Sequence, residues 1–409
     1  MRAPIWYALQ KIVADGNLTM IDPAGRQHRF GNGSGAPVVA RVKDRQLEWA
    51  LSTDPHLALG EGYMQGRLVI ERGSLYDFLC LLARNLGPGA PPAWVSLIDS
   101  FRALTRRLQQ YNPLSRARRN VAHHYDIGND FYRLFLDRDW QYSCAYFPHE
   151  GATLEEAQDA KKRLIAAKLR ISQGQTVLDV GSGWGGLALD LARSRGAHVT
   201  GITLSEEQAA FARQRAADEH LEHRVSFRLQ DYRTVHETFD RIVSVGMFEH
   251  VGVPHYPEFF GMIRRCLKDD GVALLHSIGR SGPPGRTNPF IAKYIFPGGY
   301  IPALSEVLPA IEREGLLVTD IQILRVHYAK TLAAWRERFL KAWPRVSAMF
   351  SDEFCRMWEF YLSGCEAAFR YQDLMVFQVQ LAKSLDALPI TPDYVWDEFS
   401  ARPPHRALV

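Results

Sequence analysis

The chain has 409 residues, 46% hydrophobic and 23% charged, a globular balance with material for one large or two ordinary cores. A net charge of +4 is too small to argue for nucleic acid, and five scattered cysteines with no CxxC pair argue against a disulfide framework or a zinc knuckle. No apolar run is long enough to cross a bilayer and the N-terminus lacks the apolar core of a secretory signal, so a cytoplasmic protein is expected.

Residues 1–90 read as a small separate α+β domain. Thr19–Arg29 and Pro37–Val42 suggest strands, joined through the turn-rich run Gly31 to Gly35. Leu57–Leu68 and Ser74–Leu86 suggest helices, and Gly60, Gly62 and Gly66 suit packing and turn positions. No catalytic cluster stands out here. Gly87 to Pro92 reads as a linker.

Residues 91–120 form a basic linker with a helix expected over Trp94–Leu108. Between Phe101 and Asn120 stand Arg102, Arg106, Arg107, Arg116, Arg118 and Arg119, with no acid among them. Two readings stand, a solvated connector and a surface that meets anionic lipid headgroups. The run 120–147 alternates aromatic and polar side chains, which suits a buried lid over a site better than a plain core helix. Leu154, Ala157, Leu164, Ile165 and Leu169 then mark a helix over 153–171.

From Thr176 strand and helix alternate. Strands are expected at 176–180, 198–203, 225–229, 240–246 and 271–277, and helices at 185–195, 205–219 and 256–267. Leu316–Leu324 supplies another strand, and Val376–Leu381 suggests a half-exposed final one. Such alternation predicts an α/β fold with a mostly parallel sheet covered on both faces, spanning a catalytic domain 121–390. Amphipathic helices are expected over 331–350 and 352–369, and the proline-rich tail 391–409 is expected to be loosely ordered.

Thr176–Ala188, TVLDVGSGWGGLA, is a strand, a glycine turn and a helix start. Glycine there accepts positive φ and lets a ligand approach the backbone, while the helix N-terminus offers free N–H groups. A dinucleotide site wants an acid after the second strand, but HVTGITL ends in Thr203, Leu204 and Ser205. The acid is Asp179, inside the first strand, which favours S-adenosylmethionine (SAM) over NAD. Other polar residues fall at strand ends: Asp231-Tyr232, Glu249-His250 and His276. Taken singly, His276 also fits a satisfied core histidine, Cys144 a buried thiol and Tyr328 a packing aromatic. His250 and His255 lack an HExxH frame, which argues against a metal.

The runs HHYDIGNDFYRLFLDRDWQYSCAYF (123–147), VLDVGSGWGGLA (177–188), GITLSEEQ (201–208), SVGMFEHVG (244–252), LLHSIGR (274–280), KYIFPGGYIP (293–302) and HYAKTLAAWRERF (327–339) resemble the cyclopropane-fatty-acyl-phospholipid synthases and the related mycolic acid cyclopropane synthases. The resemblance covers about 120 to 385, and it implies a Rossmann-like SAM methyltransferase fold with a seven-stranded sheet. It implies transfer of a methylene from SAM to a cis double bond of phospholipid acyl chains, through a carbocation deprotonated by bound bicarbonate. By the same resemblance Cys144, Glu249, His276, Tyr328 and the backbone of Ile278 hold the bicarbonate. SAM should contact Tyr142, Ser143, the Asp179–Gly186 turn with Gly181, Gly183, Trp184 and Gly186, then Thr203, Leu204, Gln208, Asp231 and Tyr232. Ser182 departs from the cysteine frequent in relatives but stays small. Phe290, Ile291, Tyr294, Ile295 and Phe296 with Lys293 suit an acyl entrance, a core segment being the competing reading. Implied partners are an anionic bilayer and a second copy, without nucleic acid, at the inner face of the cell membrane. The rival ending of the same chemistry is a hydride shift that leaves a methylene or methyl branch.

Overall fold

The computed structural model describes residues 3–87 and 127–401. The linker beyond Gly87, the helix expected over Trp94–Leu108, the six arginines and the first residues of the aromatic run lie outside the described residues. The described chain divides into two compact units.

The first unit takes in 3–87, Arg286–Pro297 and Leu332–Leu374. Its sheet has four strands, β1 (Leu18–Ile21), β2 (Gln27–Phe30), β3 (Val38–Val42) and β4 (Leu68–Arg72), in the order β2-β1-β3-β4. The single strand expected over 19–29 is instead a hairpin. Asp22 folds it, its Oδ1 accepting the amides of Ala24 and Arg26 at 2.9 Å. The helix expected over 57–68 ends at Met64, β4 begins at Leu68, and a further helix, Arg45–Thr53, comes before it. Asp54-Pro55 divides Arg45–Thr53 from Pro55–Met64, because proline starts a helix well but cannot continue one.

Phe290 of the expected acyl entrance is fully buried in this unit's core, together with Phe360 and Phe78. A Cβ on Gly60 would meet the Phe290 ring at 2.3 Å, so the glycine makes room for it. Tyr294 Oη and Lys293 Nζ both donate to Glu61, at 2.8 and 2.7 Å. These contacts give Phe290 the core role.

The second unit takes in 127–285, Gly298–Thr331 and Met375 to the end of the described chain. Its sheet comprises β5 (Thr176–Val180), β6 (His198–Thr203), β7 (Val225–Leu229), β8 (Phe239–Val245), β9 (Leu267–Arg280), β10 (Leu317–Leu324) and β11 (Leu374–Ala382). The order is β10-β11-β9-β8-β5-β6-β7. The run from β9 to β7 is parallel and β10 pairs antiparallel with β11. Two clusters of buried side chains cover the faces, one around Phe248, Phe259 and Phe260, the other around Leu189, Leu191 and Val199. The seven-stranded, mostly parallel sheet of the SAM methyltransferase fold is therefore present.

Two expectations need correction. β11 is buried along its length because it lies between β10 and β9, not at an edge. Its glutamines are tolerated inside because they are bonded: Gln380 Nε2 donates to the Lys168 carbonyl and to Tyr394 Oη, and Gln378 Nε2 pairs with His276 Nδ1 at 3.1 Å. The tail does not fray at once, since Asp393–Ala401 is a helix whose Val395 packs on Leu164 and Ala167.

Candidate active site

The turn after β5 is built by backbone chemistry. Gly181, Gly183 and Gly185 all have positive φ, at 87°, 53° and 83°. The amides of Gly181 and Ser182 donate to the Ile202 carbonyl of β6 at 2.9 and 3.0 Å, which fixes the turn to the neighbouring strand. Nothing lies within 4 Å of a Cβ built on Gly183, so the turn keeps open space beside its backbone. Gly186 starts the helix Gly186–Arg195 and admits the chain at Asp139 and Gln141, whose atoms would stand 2.4 Å from a Cβ.

A cavity at the carboxyl ends of β5, β6, β7 and β8 is lined by all the residues expected to contact SAM. They are Tyr142 and Ser143 on one wall, Asp179, Gly181, Gly183, Trp184 and Gly186 along the turn, then Thr203, Leu204, Gln208, Asp231 and Tyr232. Thr203 Oγ1 donates to Gln208 Oε1 at 3.0 Å, so the two polar groups expected to serve a ribose are already paired. Asp231 is held by Arg233, whose Nε and Nη2 reach its two oxygens at 2.8 and 2.9 Å. Trp184 is locked by its Nε1 donating to Asn129 Oδ1 at 2.6 Å and by the Tyr132 ring 4.9 Å away. The aromatic run thus closes over the turn: Phe131, Tyr132 and Phe135 are buried, and Tyr142 meets Tyr132 edge-on.

Asp179 is buried and its Oδ2 accepts no hydrogen bond. Burial pushes its carboxyl up to about 7, partly offset by the charge of Lys161. A buried acceptor without a donor, in a cavity with an open glycine cradle, fits a ligand that brings a cationic or N–H group.

The five residues expected around the reacting carbon do not line that cavity and fall into two groups, Glu249, His276 and Ile278 at the ends of β8 and β9, and Cys144 and Tyr328 on the aromatic run and a later helix. Glu249, in the short helix Phe248–His250 after β8, is buried. Its Oε1 accepts the Ile278 amide at 2.7 Å, and its Oε2 has no hydrogen-bond partner. Burial raises its pKa to about 7, against the lowering effect of the Ile278 amide. The Ile278 amide is thereby spent on Glu249. His276 lies two residues earlier on β9, opposite Val245 of β8. Burial and the charges of Lys161 and Lys168 depress it to about 3, so the ring is neutral. With the Gln378 amide donating to Nδ1, the ring proton sits on Nε2.

The other group joins Cys144 and Tyr328. The Ala145 amide donates to Thr331 Oγ1 and the Phe147 amide to His327 Nδ1, both at 3.0 Å. These bonds tie the aromatic run to the start of the helix His327–Met349, where Tyr328 is buried. Burial pushes the Cys144 thiol well above its ordinary range, so it is neutral.

Two contributors, Gln158 and Lys161, had no sequence motif, and a third, His250, stands in the run 244–252 without an assigned role. His250 lines the cavity beside Met247 and is depressed to about 4 by burial. Gln158 and Lys161 sit three residues apart on the helix Leu154–Lys168, both with no exposed surface. Gln158 Nε2 donates to the Gln141 and Ser143 carbonyls at 3.3 and 3.0 Å, fixing the wall of the cavity. A polar pair on the apolar face of an amphipathic helix is the signal that could have found them.

The family model for mycolic acid cyclopropane synthetase matches residues 113–379. The chain belongs to that family. A cyclopropane-fatty-acyl-phospholipid synthase of Escherichia coli is 39% identical over 355 residues, covering 87% of this chain and 90% of its own. The tuberculostearic acid methyltransferase UfaA1 of Mycobacterium tuberculosis is 39% identical over 352 residues, covering 80% of this chain and 79% of its own. The mycolic acid cyclopropane synthase CmaA1, solved with SAH and CTAB, superposes with a TM-score of 0.62 at 37% identity, over 66% of this chain and 99% of its own. This family member is accordingly a SAM-dependent methyltransferase by fold and kinship.

Proposed function

We propose that this protein adds a methylene across the cis double bond of unsaturated acyl chains in membrane phospholipids, with SAM as the carbon donor. The observation that carries the reading is Glu249: a buried carboxylate with one oxygen pinned by the Ile278 amide and the other without a partner, one residue from the cavity-lining His250. The similarity to a phospholipid-modifying synthase over most of both chains supports the substrate class.

SAM, when bound, supplies an electrophilic methyl group. Asp179 and the glycine turn would hold its methionine end, and Thr203, Gln208, Asp231 and Tyr232 its nucleoside. An alkene is a weak nucleophile, so the site must align it and keep water away. Trp184 lines the cavity with Tyr132, Phe131 and Phe135 packed and buried behind it, and this apolar backing would help to keep the site dry. Ring closure then needs removal of a proton by a group that does not itself capture the cation. Glu249 is poorly placed to capture it, because Oε1 is pinned and the carboxyl is about half protonated near neutrality. The Oε2 without a partner fits the O–H of a bicarbonate, and the neutral His276 ring and the Tyr328 hydroxyl would offer donors for its oxygens, while the Cys144 thiol already donates to the Ala145 carbonyl at 3.3 Å. A bicarbonate held there would supply the base.

A methyl or methylene branch is the second reading, supported by the kinship to a tuberculostearic acid methyltransferase. Both are tested by incubating the protein with SAM and vesicles of unsaturated phospholipid and weighing the released acyl chains. The cyclopropane reading expects a gain of one CH₂ with loss of the double bond. A gain with retained unsaturation, or with a saturated branch, overturns it.

Among the described residues no helix is long and apolar enough to cross a membrane. The proposed substrate therefore calls for docking on the bilayer surface, with the arginine-rich 91–120 segment and anionic headgroups as the natural contact. A homodimer belongs to the same proposal.

A further inference from the structure

Lys161 is a lysine with no exposed surface in the middle of the helix Leu154–Lys168. Its Nζ donates to Gln141 Oε1 at 2.6 Å and to Ser143 Oγ at 2.9 Å. Neighbouring cations are neutralised differently. Lys162 meets the carboxylates of Asp139 and Asp159, Arg215 meets Asp139, and Arg233 meets Asp231. Lys161 meets two neutral oxygens instead, so its charge is not cancelled by a contacting carboxylate. Asp137 and Asp139 act on it through space without touching it, and a buried charge with no carboxylate in contact favours a further anion nearby.

Ser143 faces the cavity and Lys161 stands behind it. Because the ammonium donates to Ser143 Oγ, the serine must turn its own hydroxyl hydrogen elsewhere, and the open direction is the cavity. The strand order locates what the hydrogen meets. Asp231 and Tyr232 follow the outermost strand, β7, Thr203 and Gln208 follow β6, and Asp179 lies on β5. An elongated ligand with its base at β7 and its sugar at β6 brings its far end to Asp179 and Ser143. The far end of SAM is a zwitterion, one ammonium and one carboxylate. Asp179 offers an orphaned acceptor, Oδ2, for the first.

We propose that Lys161 is a positioning residue for the cofactor's carboxylate: it orients the Ser143 hydroxyl as a donor and supplies the positive charge behind it. The inference rests on reading the glycine cavity as the SAM site. The through-space influence of Lys161 on Asp179 agrees with one charge of each sign at this end. Charge-assisted hydrogen bonds of this kind are the strong ones.

The test is equilibrium binding of two ligands that share the nucleoside and differ at the far end. SAH carries the zwitterion and 5′-methylthioadenosine lacks it. Lys161→Met should weaken SAH by about tenfold or more and leave 5′-methylthioadenosine within about twofold. Ser143→Ala should show the same one-sided loss, and it decides the matter if the lysine variant does not fold. Unchanged SAH binding in a folded variant overturns the proposal, and so does equal weakening of both ligands. Absence of SAH binding to the wild-type protein would instead overturn the assignment of the cavity.

Discussion

The amide of Ile278 donates to Glu249 Oε1 at 2.7 Å, joining the end of β9 to the short helix after β8. Each partner makes the other's position definite. The carboxylate has one oxygen fixed and one without a hydrogen-bond partner, and it stands apart from the lining of the glycine cavity. Glu249→Gln should therefore lower turnover by about two to three orders of magnitude, the range seen when a positioned acid–base group is lost. SAH affinity should stay within about twofold, because Glu249 does not line the cavity. Single-turnover rates and calorimetric binding on the same preparation check this, and unchanged turnover would remove Glu249 from the mechanism.

The same carboxyl should leave a mark on stability. Its pKa rises from 4.5 in the unfolded chain to about 7 in the fold. Between those values the native state holds a proton that the unfolded state has released, so this group's contribution falls as pH rises through the window. Glu249→Gln stays neutral throughout. Its stability relative to wild type should grow from near zero at about pH 4.5 to roughly 3 kcal/mol above pH 7. Denaturant midpoints across that range measure the difference, and a difference independent of pH would show the carboxyl to be ordinary.

Two glycines of the turn should respond differently to alanine. Gly181 has φ 87°, and a Cβ there meets the Met247 Cβ at 2.6 Å, so Gly181→Ala should cost about 2–4 kcal/mol of stability. Gly183 has φ 53° and open space around the new carbon, so Gly183→Ala should cost only about 1–2 kcal/mol. Its methyl occupies cofactor space instead, and SAH binding should suffer. Thermal unfolding and SAH titration on both variants separate the two effects.

Phe290→Ala tests the assignment of that ring to a core. The side chain is fully buried and meets Phe360 edge-on at 4.8 Å. Its loss should cost about 3–5 kcal/mol while leaving the KM for phospholipid unchanged in the surviving folded fraction. A raised KM without loss of stability would return Phe290 to an acyl entrance.

Flotation with lipid vesicles addresses docking. Binding should be stronger to anionic than to neutral vesicles and should weaken at high salt. Equal binding to both would exclude the basic segment as the contact.

The cofactor cavity was legible in the sequence because its chemistry is local. Glycines at fixed spacing, Asp179 inside the strand and polar residues at strand ends all follow from one strand–turn–helix rule, and β5 and β6 fall on the expected residues. The second part of the site is not local. Glu249 and His276 stand out at strand ends, but Cys144 and Tyr328, and the grouping of all four, were visible only through family resemblance, since nothing in their spacing says that Thr331 and His327 tie the aromatic run to a helix that starts 180 residues later. β11 misled because alternating glutamines look like a solvent face, whereas hydrogen bonds from Gln378 and Gln380 let both faces be buried. Lys161 escaped because a lysine in an amphipathic helix is counted with the wet side.

β11 arrives from the chain's last tenth yet is wedged between β9 and β10. A nascent chain that has reached only residue 370 presents β9 with a bare row of backbone donors and acceptors, and His276 without Gln378. The site therefore matures late in synthesis, and a C-terminal truncation that spares all the chemistry would still yield an inactive, aggregation-prone product.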